Sequence, residues 1–241
     1  MMKQILLITD GCSNVGVSPV IAAAQAQAEG VTVNVIGVID QGELGVLGSE
    51  EIREIAAAGG GMSRIVSSAQ LSQTVQMMTR KTVSTTIQQA VGKELKSILG
   101  ITQVEELPPD KRAEVVHVID EMSETTSLRV ALLIDASASM KPKLAAVREA
   151  IHDLLLSLRA RSGKSELAVF HFPSTKQRDQ ELEMDLDWTN QLANVDKMFY
   201  KINMKGTTPT GPALQQTLQF VTGKPLSGAT TEEGMLSDYV V

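Results

Sequence analysis

The sequence predicts an α/β protein: an open, doubly wound, mostly parallel six-stranded sheet with helices on both faces and one antiparallel edge strand. Three observations carry that expectation. Apolar, β-branched runs alternate with helical periodicity in two separate stretches, residues 3–75 and 128–223. Each stretch alone supplies too few strands for a comfortable sheet, whereas together they reach the usual size. And two apolar runs, Ile5-Leu6-Leu7-Ile8-Thr9 and Val130-Ala131-Leu132-Leu133-Ile134, each run straight into an aspartate, Asp10 and Asp135. Ligands of open parallel sheets bind just beyond such strand ends.

The elements follow in order. After Asp10 comes the polar loop Gly11–Gly16, then a helix opened by Ser18 as cap and Pro19 at its first position, ended by Gly30. Val31–Val38 reads as a buried strand. Asp40–Gly48 reads as a glycine-rich loop, and Ser49-Glu50-Glu51 as the cap of a helix reaching Ala58. Gly59-Gly60-Gly61 breaks that helix before a short edge strand, Ser63–Ser67. Residues 69–99 are good helix formers. A break containing Pro108-Pro109 precedes a second helix, 110–124, on which Val115, Val116, Ile119 and Met122 are spaced for one buried face. Residues 70–127 thus read as a helical connector.

Leu128–Ile134 opens the second α/β unit. A helix from about Pro142 carries Leu144, Val147, Ile151, Leu154, Leu155 and Leu158 at helical spacing. Glu166–Phe172 is the next strand, followed by a turn over 173–179. Leu182, Met184, Leu186 and Trp188 alternate with polar residues, as an antiparallel edge strand does. A helix over 190–202, the loop Gly206–Gly211, a helix over 212–221 and a loose polar tail complete the chain.

Composition bounds the function classes. With 43% hydrophobic and 21% charged residues in 241, the chain has enough apolar material for a real core. A formal charge of −6 argues against a nucleic-acid binder. The single cysteine, Cys12, excludes an internal disulfide and fits a reducing compartment, so a cytoplasmic location is expected. No apolar run is long enough to span a bilayer.

The chemistry lies in the loops. Asp135 opens Asp135-Ala136-Ser137-Ala138-Ser139, a carboxylate and two hydroxyls at alternating positions. If the two aspartate-ending strands lie side by side, Asp10, Asp135, Ser137 and Ser139 form one oxygen-only cluster. Such a cluster suits Mg²⁺, Mn²⁺ or Ca²⁺. Cys12 has no histidine near it in sequence and reads as a small loop residue rather than a nucleophile. His117, His152 and His171 show no ligand spacing and read as surface or packing residues. Met77-Met78 reads as core filling.

Taken together, the motifs resemble those of the von Willebrand factor A (integrin I-like) domain family. Asp135-Ala-Ser137-Ala-Ser139 resembles its DxSxS motif, Gly206-Thr207-Thr208-Pro209-Thr210-Gly211 its threonine loop, and Leu6-Leu7-Ile8-Thr9-Asp10-Gly11 its strand ending in Thr-Asp-Gly. The Asp motif comes first here, the reverse of the family order, which implies a circular permutation. Residues 1–75 would be the second half of the domain, 76–127 a connector across the family's original termini, and 128–241 the first half with its tail 224–241, all one composite domain. The whole arrangement resembles uncharacterised von Willebrand A-like proteins of endospore-forming bacteria. A swapped dimer is the rival arrangement, and the long connector favours a monomer.

The resemblance implies a metal-ion-dependent adhesion site. Ser137, Ser139 and Thr208 would supply hydroxyl oxygens, with Asp135 and Asp10 acting directly or through water, around Mg²⁺ (or Mn²⁺ or Ca²⁺). The expected function is binding of a protein partner through its Asp or Glu carboxylate, without catalysis. The alternatives are a Mg²⁺-dependent aspartyl-nucleophile phosphotransferase and a metal-independent scaffold. Against the enzyme, Ser137 stands where such enzymes carry a general-acid aspartate. A dinucleotide-binding enzyme fails because no strand–helix turn matches G-x-G-x-x-G.

Overall fold

The computed structural model describes residues 1–11, 13–40, 46–100, 106–174, 182–191 and 208–223. Its strands are β1 (Met2–Thr9), β2 (Val31–Val38), β3 (Gly60–Val66), β4 (Leu128–Asp135), β5 (Ser165–Phe172) and β6 (Glu183–Thr189). They form one six-stranded sheet in the order β3-β2-β1-β4-β5-β6. Every neighbouring pair is parallel except β5–β6, antiparallel at the edge. The expected fold class is what the chain adopts. β1 and β4 lie side by side with Ile8 opposite Ile134. Strand order runs outward in opposite directions from that pair, which makes it the switch point of the sheet, where a crevice opens at the carboxyl edge.

The helices are α1 (Pro19–Ala28), α2 (Val46–Ala58), α3 (Leu71–Leu99), α4 (Pro109–Thr125), α5 (Leu144–Arg159) and α6 (Thr210–Thr222). They cover both faces. Alternating strand side chains divide between two cores. Leu6, Ile8, Leu132 and Ile134 pack with α3, α5 and Ile119 of α4. Ile5, Leu7, Ala131 and Leu133 pack with α1, α2 and α6. Because both faces are dry, the central strands read as unbroken apolar runs rather than as alternation.

Several expectations need correction. Of the pair expected to fill the core, Met78 is buried but Met77 is 39% exposed; α3 of the connector also buries Leu71 and Val75 against the sheet. On α4 only Ile119 is buried, with Val115 half-covered; Val116 and Met122 are exposed, so the helix presents a narrower face than its spacing implied. α2 begins at Val46, which puts Ser49-Glu50-Glu51 inside the helix rather than at its cap. Ser18 does sit at the cap of α1, but its hydroxyl makes no capping bond. Gly60 and Gly61 belong to β3, and only Gly59 precedes it. A Cβ on Gly61 would stand 2.1 Å from the Val33 carbonyl oxygen, so close approach to β2 demands glycine.

β6 also departs from simple alternation. Register shifts along β5–β6 turn Leu186 into the core shared with α3 and α5 while Trp188 packs on the opposite one. The expected helix over 190–202 is not formed at Asn190 and Gln191, and its remainder, the turn after Ser174, the tail 224–241 and Cys12 lie outside the described residues.

Candidate metal centre

The cluster begins with the ends of β1 and β4. Asp135 is the last residue of β4 and is fully buried. One carboxylate oxygen, Oδ1, accepts the Ser137 N–H at 2.8 Å, a tight turn that starts the 3₁₀ segment Ala138–Lys143. The other, Oδ2, accepts the Thr9 hydroxyl at 2.7 Å, across from β1. Burial pushes the Asp135 carboxyl above the ordinary range, aided by the charge of Asp10 and opposed by those hydrogen bonds.

From there the contacts form a chain of oxygens. Ser137 Oγ lies 3.1 Å from Ser139 Oγ, and the Ser139 hydroxyl donates to Asp10 Oδ1 at 2.8 Å. Four of the expected site residues, Asp10, Asp135, Ser137 and Ser139, therefore meet at one edge. The fifth, Thr208, is buried and joins the same edge through the segment that follows Asp10. Its N–H donates to Asn14 Oδ1 at 2.8 Å, and its carbonyl accepts from the Asn14 N–H at 3.2 Å and the Ser13 hydroxyl at 3.3 Å. Gly211 lets α6 come this close, since a Cβ there would lie 1.8 Å from the Val17 carbonyl oxygen.

The donor set fits a hard divalent ion. All the converging atoms are oxygens. Adjacent oxygens of an octahedral Mg²⁺ shell, each at about 2.1 Å from the ion, stand about 3.0 Å apart. The Ser137–Ser139–Asp10 hydrogen-bond spacings of 3.1 and 2.8 Å are compatible with that separation. Two carboxylates side by side, one of them fully desolvated, also call for positive charge.

Part of that charge already comes from the protein, in a residue the motifs did not reveal. Lys143 Nζ donates to Asp10 Oδ2 at 2.5 Å, with the lysine 12% and the aspartate 2% exposed at the side chain. Lys143 closes the 3₁₀ turn that carries Ser139, so the turn and its counter-ion come as one piece. Glu51 was likewise missed as a site neighbour. Its Oε2 accepts the Ser13 N–H at 2.8 Å, and burial raises its carboxyl above the ordinary range. Nothing in local sequence joins residue 51 to residue 13; only the packing of α2 at this edge does.

A second cluster stands on the neighbouring strands. His117 is exposed and His152 half-exposed, as expected of surface residues. His171 is not a mere packing residue. It is 2% exposed, its Nδ1 lies 2.7 Å from Asp185 Oδ2, and its Nε2 lies 3.7 Å from Glu183 Oε2. His171, Glu183 and Asp185 place one ligand atom each within 4.8 Å of one another. The sequence carries only half of the signal, an antiparallel edge strand with acidic residues at 183 and 185; the register that sets them beside the end of β5 comes from the structure.

No protein-family model matches the chain. It is 47% identical over 239 residues to the uncharacterized protein YabS of Bacillus subtilis (strain 168), covering 98% of this chain and 94% of YabS. It is also similar to the crystal structure of an uncharacterized protein from Alicyclobacillus acidocaldarius subsp. acidocaldarius DSM 446, with a TM-score of 0.84, 40% identity, and 92% and 94% of the two chains covered. Proximal thread matrix protein 1 of the mussel byssus aligns over 86% of this chain and 44% of its own at 16% identity, but with a TM-score of 0.27 it bears on neither fold nor site.

Proposed function

The chain belongs to the family of Bacillus subtilis YabS, and from the geometry of its carboxyl edge we propose that it is a divalent-metal-dependent protein-binding module. The observation that carries the reading is the hydrogen-bonded run of oxygens Ser137–Ser139–Asp10 beside the buried Asp135, placed at the switch point between β1 and β4. Ser137, Ser139 and Asp10 would hold the ion, with Asp135 and Thr208 completing the oxygen set. A bound Mg²⁺ or Mn²⁺ would supply an open coordination position for an Asp or Glu carboxylate of a protein partner.

The chain's own residues set up that capture. Thr9 and the Ser137 N–H fix both oxygens of Asp135, so its carboxylate cannot turn away. Lys143 holds Asp10 in place and neutralises it. The order of the elements supports a circularly permuted von Willebrand A-like domain, with β1–β3 as its second half and β4–β6 with α6 as its first. The reading is of a monomer without catalysis, since Ser137 cannot serve as the general acid of an aspartyl-transfer enzyme. The single cysteine supports a cytoplasmic location, and no helix among the described residues is long and apolar enough to cross a membrane.

The test is calorimetric titration of Mg²⁺ and Mn²⁺ into metal-free protein, beside Asp135→Ala. One site in the wild type, lost in a variant that keeps its circular dichroism spectrum, is the expected result. Equal binding in both proteins would remove the oxygen cluster from consideration.

A further inference from the structure

We infer that His171, Glu183 and Asp185 form a second divalent-metal site, selective for a borderline transition ion of the Zn²⁺ class and separate from the oxygen cluster. The inference does not rest on the adhesion-type reading, because it uses different strands and a different donor chemistry.

The argument starts with the proton on His171. Asp185 as a carboxylate only accepts, so the 2.7 Å contact fixes the hydrogen on Nδ1, which donates to Asp185 Oδ2. Nε2 is then a bare lone pair. Among the described residues it has no hydrogen-bond partner, although the side chain is 2% exposed. The atom it faces is Glu183 Oε2, at 3.7 Å. An N–H···O bond spans about 2.7–3.2 Å, so a proton on Nε2 would not join the two. Nε2 is thus a buried polar atom with no hydrogen-bond partner among the described residues, aimed at a carboxylate oxygen just beyond hydrogen-bond reach.

A metal ion resolves the same geometry. Nitrogen and oxygen ligands, each about 2.1 Å from Zn²⁺, stand about 3.4 Å apart at the tetrahedral angle and further apart as that angle opens. The observed 3.7 Å falls in this range. Asp185 then does what a carboxylate commonly does behind a metal-bound histidine: it holds the tautomer and the ring orientation. The donors on offer, an imidazole nitrogen and a carboxylate oxygen, are both ones that Zn²⁺ takes. Glu183 and Asp185 keep 15% and 11% of their side chains exposed, which leaves a route in for the ion and its waters.

Location separates the two sites. His171, two residues after Val169 and opposite Ile134, lies on the sheet face shared with α3 and α5. Asp135 sits opposite Phe172, whose ring packs in the other core. The imidazole nitrogen makes the second site softer, suiting Zn²⁺ over Mg²⁺.

The experiment uses the full-length, metal-free chain carrying Asp135→Ala, titrated with Zn²⁺ by equilibrium dialysis in excess Mg²⁺. Expected is one Zn²⁺ per chain, weakened at least about tenfold by Glu183→Gln and by Asp185→Asn. In parallel, ¹⁵N spectra of the wild-type imidazoles should show Nε2 of His171 moving on Zn²⁺ addition while Nδ1 stays protonated. That readout is specific to the residue and needs no variant to fold. No Zn²⁺ on the folded Asp135→Ala chain, unchanged affinity in Glu183→Gln, or a response confined to His117 or His152 would each overturn the assignment. Failure of Mg²⁺ to bind the wild type would count against the oxygen cluster and leave this site untouched.

Discussion

The carboxyl edge of one sheet carries two clusters built on different strands, and their contrast is instructive. The oxygen cluster sits on β1 and β4, each flanked by a hydrogen-bonded neighbour on both sides, with their side chains buried in both cores. Its donors are held by backbone geometry: the Asp135 turn, the 3₁₀ segment and the Thr9 hydroxyl. The histidine cluster sits on β5 and the edge strand β6, where register shifts interrupt the pairing. Two of its members, His171 and Asp185, hold each other through a side-chain hydrogen bond. A central site is thus preorganised by the fold, whereas an edge site depends on how well one strand stays docked.

The strongest way to break that contrast is to remove the buried carboxylate. Asp135→Ala should abolish Mg²⁺ binding in calorimetry while Zn²⁺ binding at His171 persists. Loss of both ions from a folded variant would mean the two clusters are one cooperative unit. A milder cut tests the preorganisation. Thr9→Val keeps the shape and removes the donor to Asp135 Oδ2, and Mg²⁺ affinity should drop about tenfold, as when a group behind a metal ligand is lost. An unchanged affinity would mean that the Ser137 turn alone fixes the carboxylate.

Lys143 sharpens the comparison from the other side. Its ammonium holds Asp10 where a metal ion would share the same carboxylate. Lys143→Met should lower the melting temperature of metal-free protein, because Asp10 loses its counter-ion. Mg²⁺ should restore that temperature and bind about fivefold more tightly, the equivalent of about 1 kcal/mol. A melting temperature that Mg²⁺ cannot restore would make Lys143 purely structural and sever it from the site.

How much of this was legible in the sequence depends on range. β2 and the cores of β1, β4 and β5 were readable because strands buried on both faces must be continuously apolar. That Asp10, Asp135, Ser137 and Ser139 meet at one edge was readable because each lies at or just past the end of such a strand. Lys143 and Glu51 were not, because their roles arise from side chains reaching across the edge. Val116 and Met122 misled for the converse reason: α4 touches the core along a narrow line, so spacing alone overstated its buried face. His171 was dismissed on the absence of local ligand spacing, yet its partners come from the antiparallel neighbour, where spacing along the chain says nothing.

The smallest expected effect concerns what docks the edge strand. Arg129 on β4 pairs with Glu166 on β5 at 2.8 Å, and its guanidinium lies 5.0 Å from the ring centre of Trp188 on β6. One side chain therefore spans three strands at the end opposite the clusters. Its hydrogen bond, followed by that of Lys164, holds the Glu166 carboxyl below the ordinary 4.5. A depressed carboxylate favours the folded state above its unfolded value, and that contribution disappears as pH falls through the folded one. Arg129→Gln should thus cost about 1 kcal/mol or less at pH 7, read from urea midpoints, with the difference from wild type shrinking below about pH 4.5. The same variant should weaken Zn²⁺ at His171 more than Mg²⁺ at Asp135, since only the first depends on β6. Equal losses at both would mean that the edge strand is as firmly held as the centre, and the contrast between the two clusters would rest on donor chemistry alone.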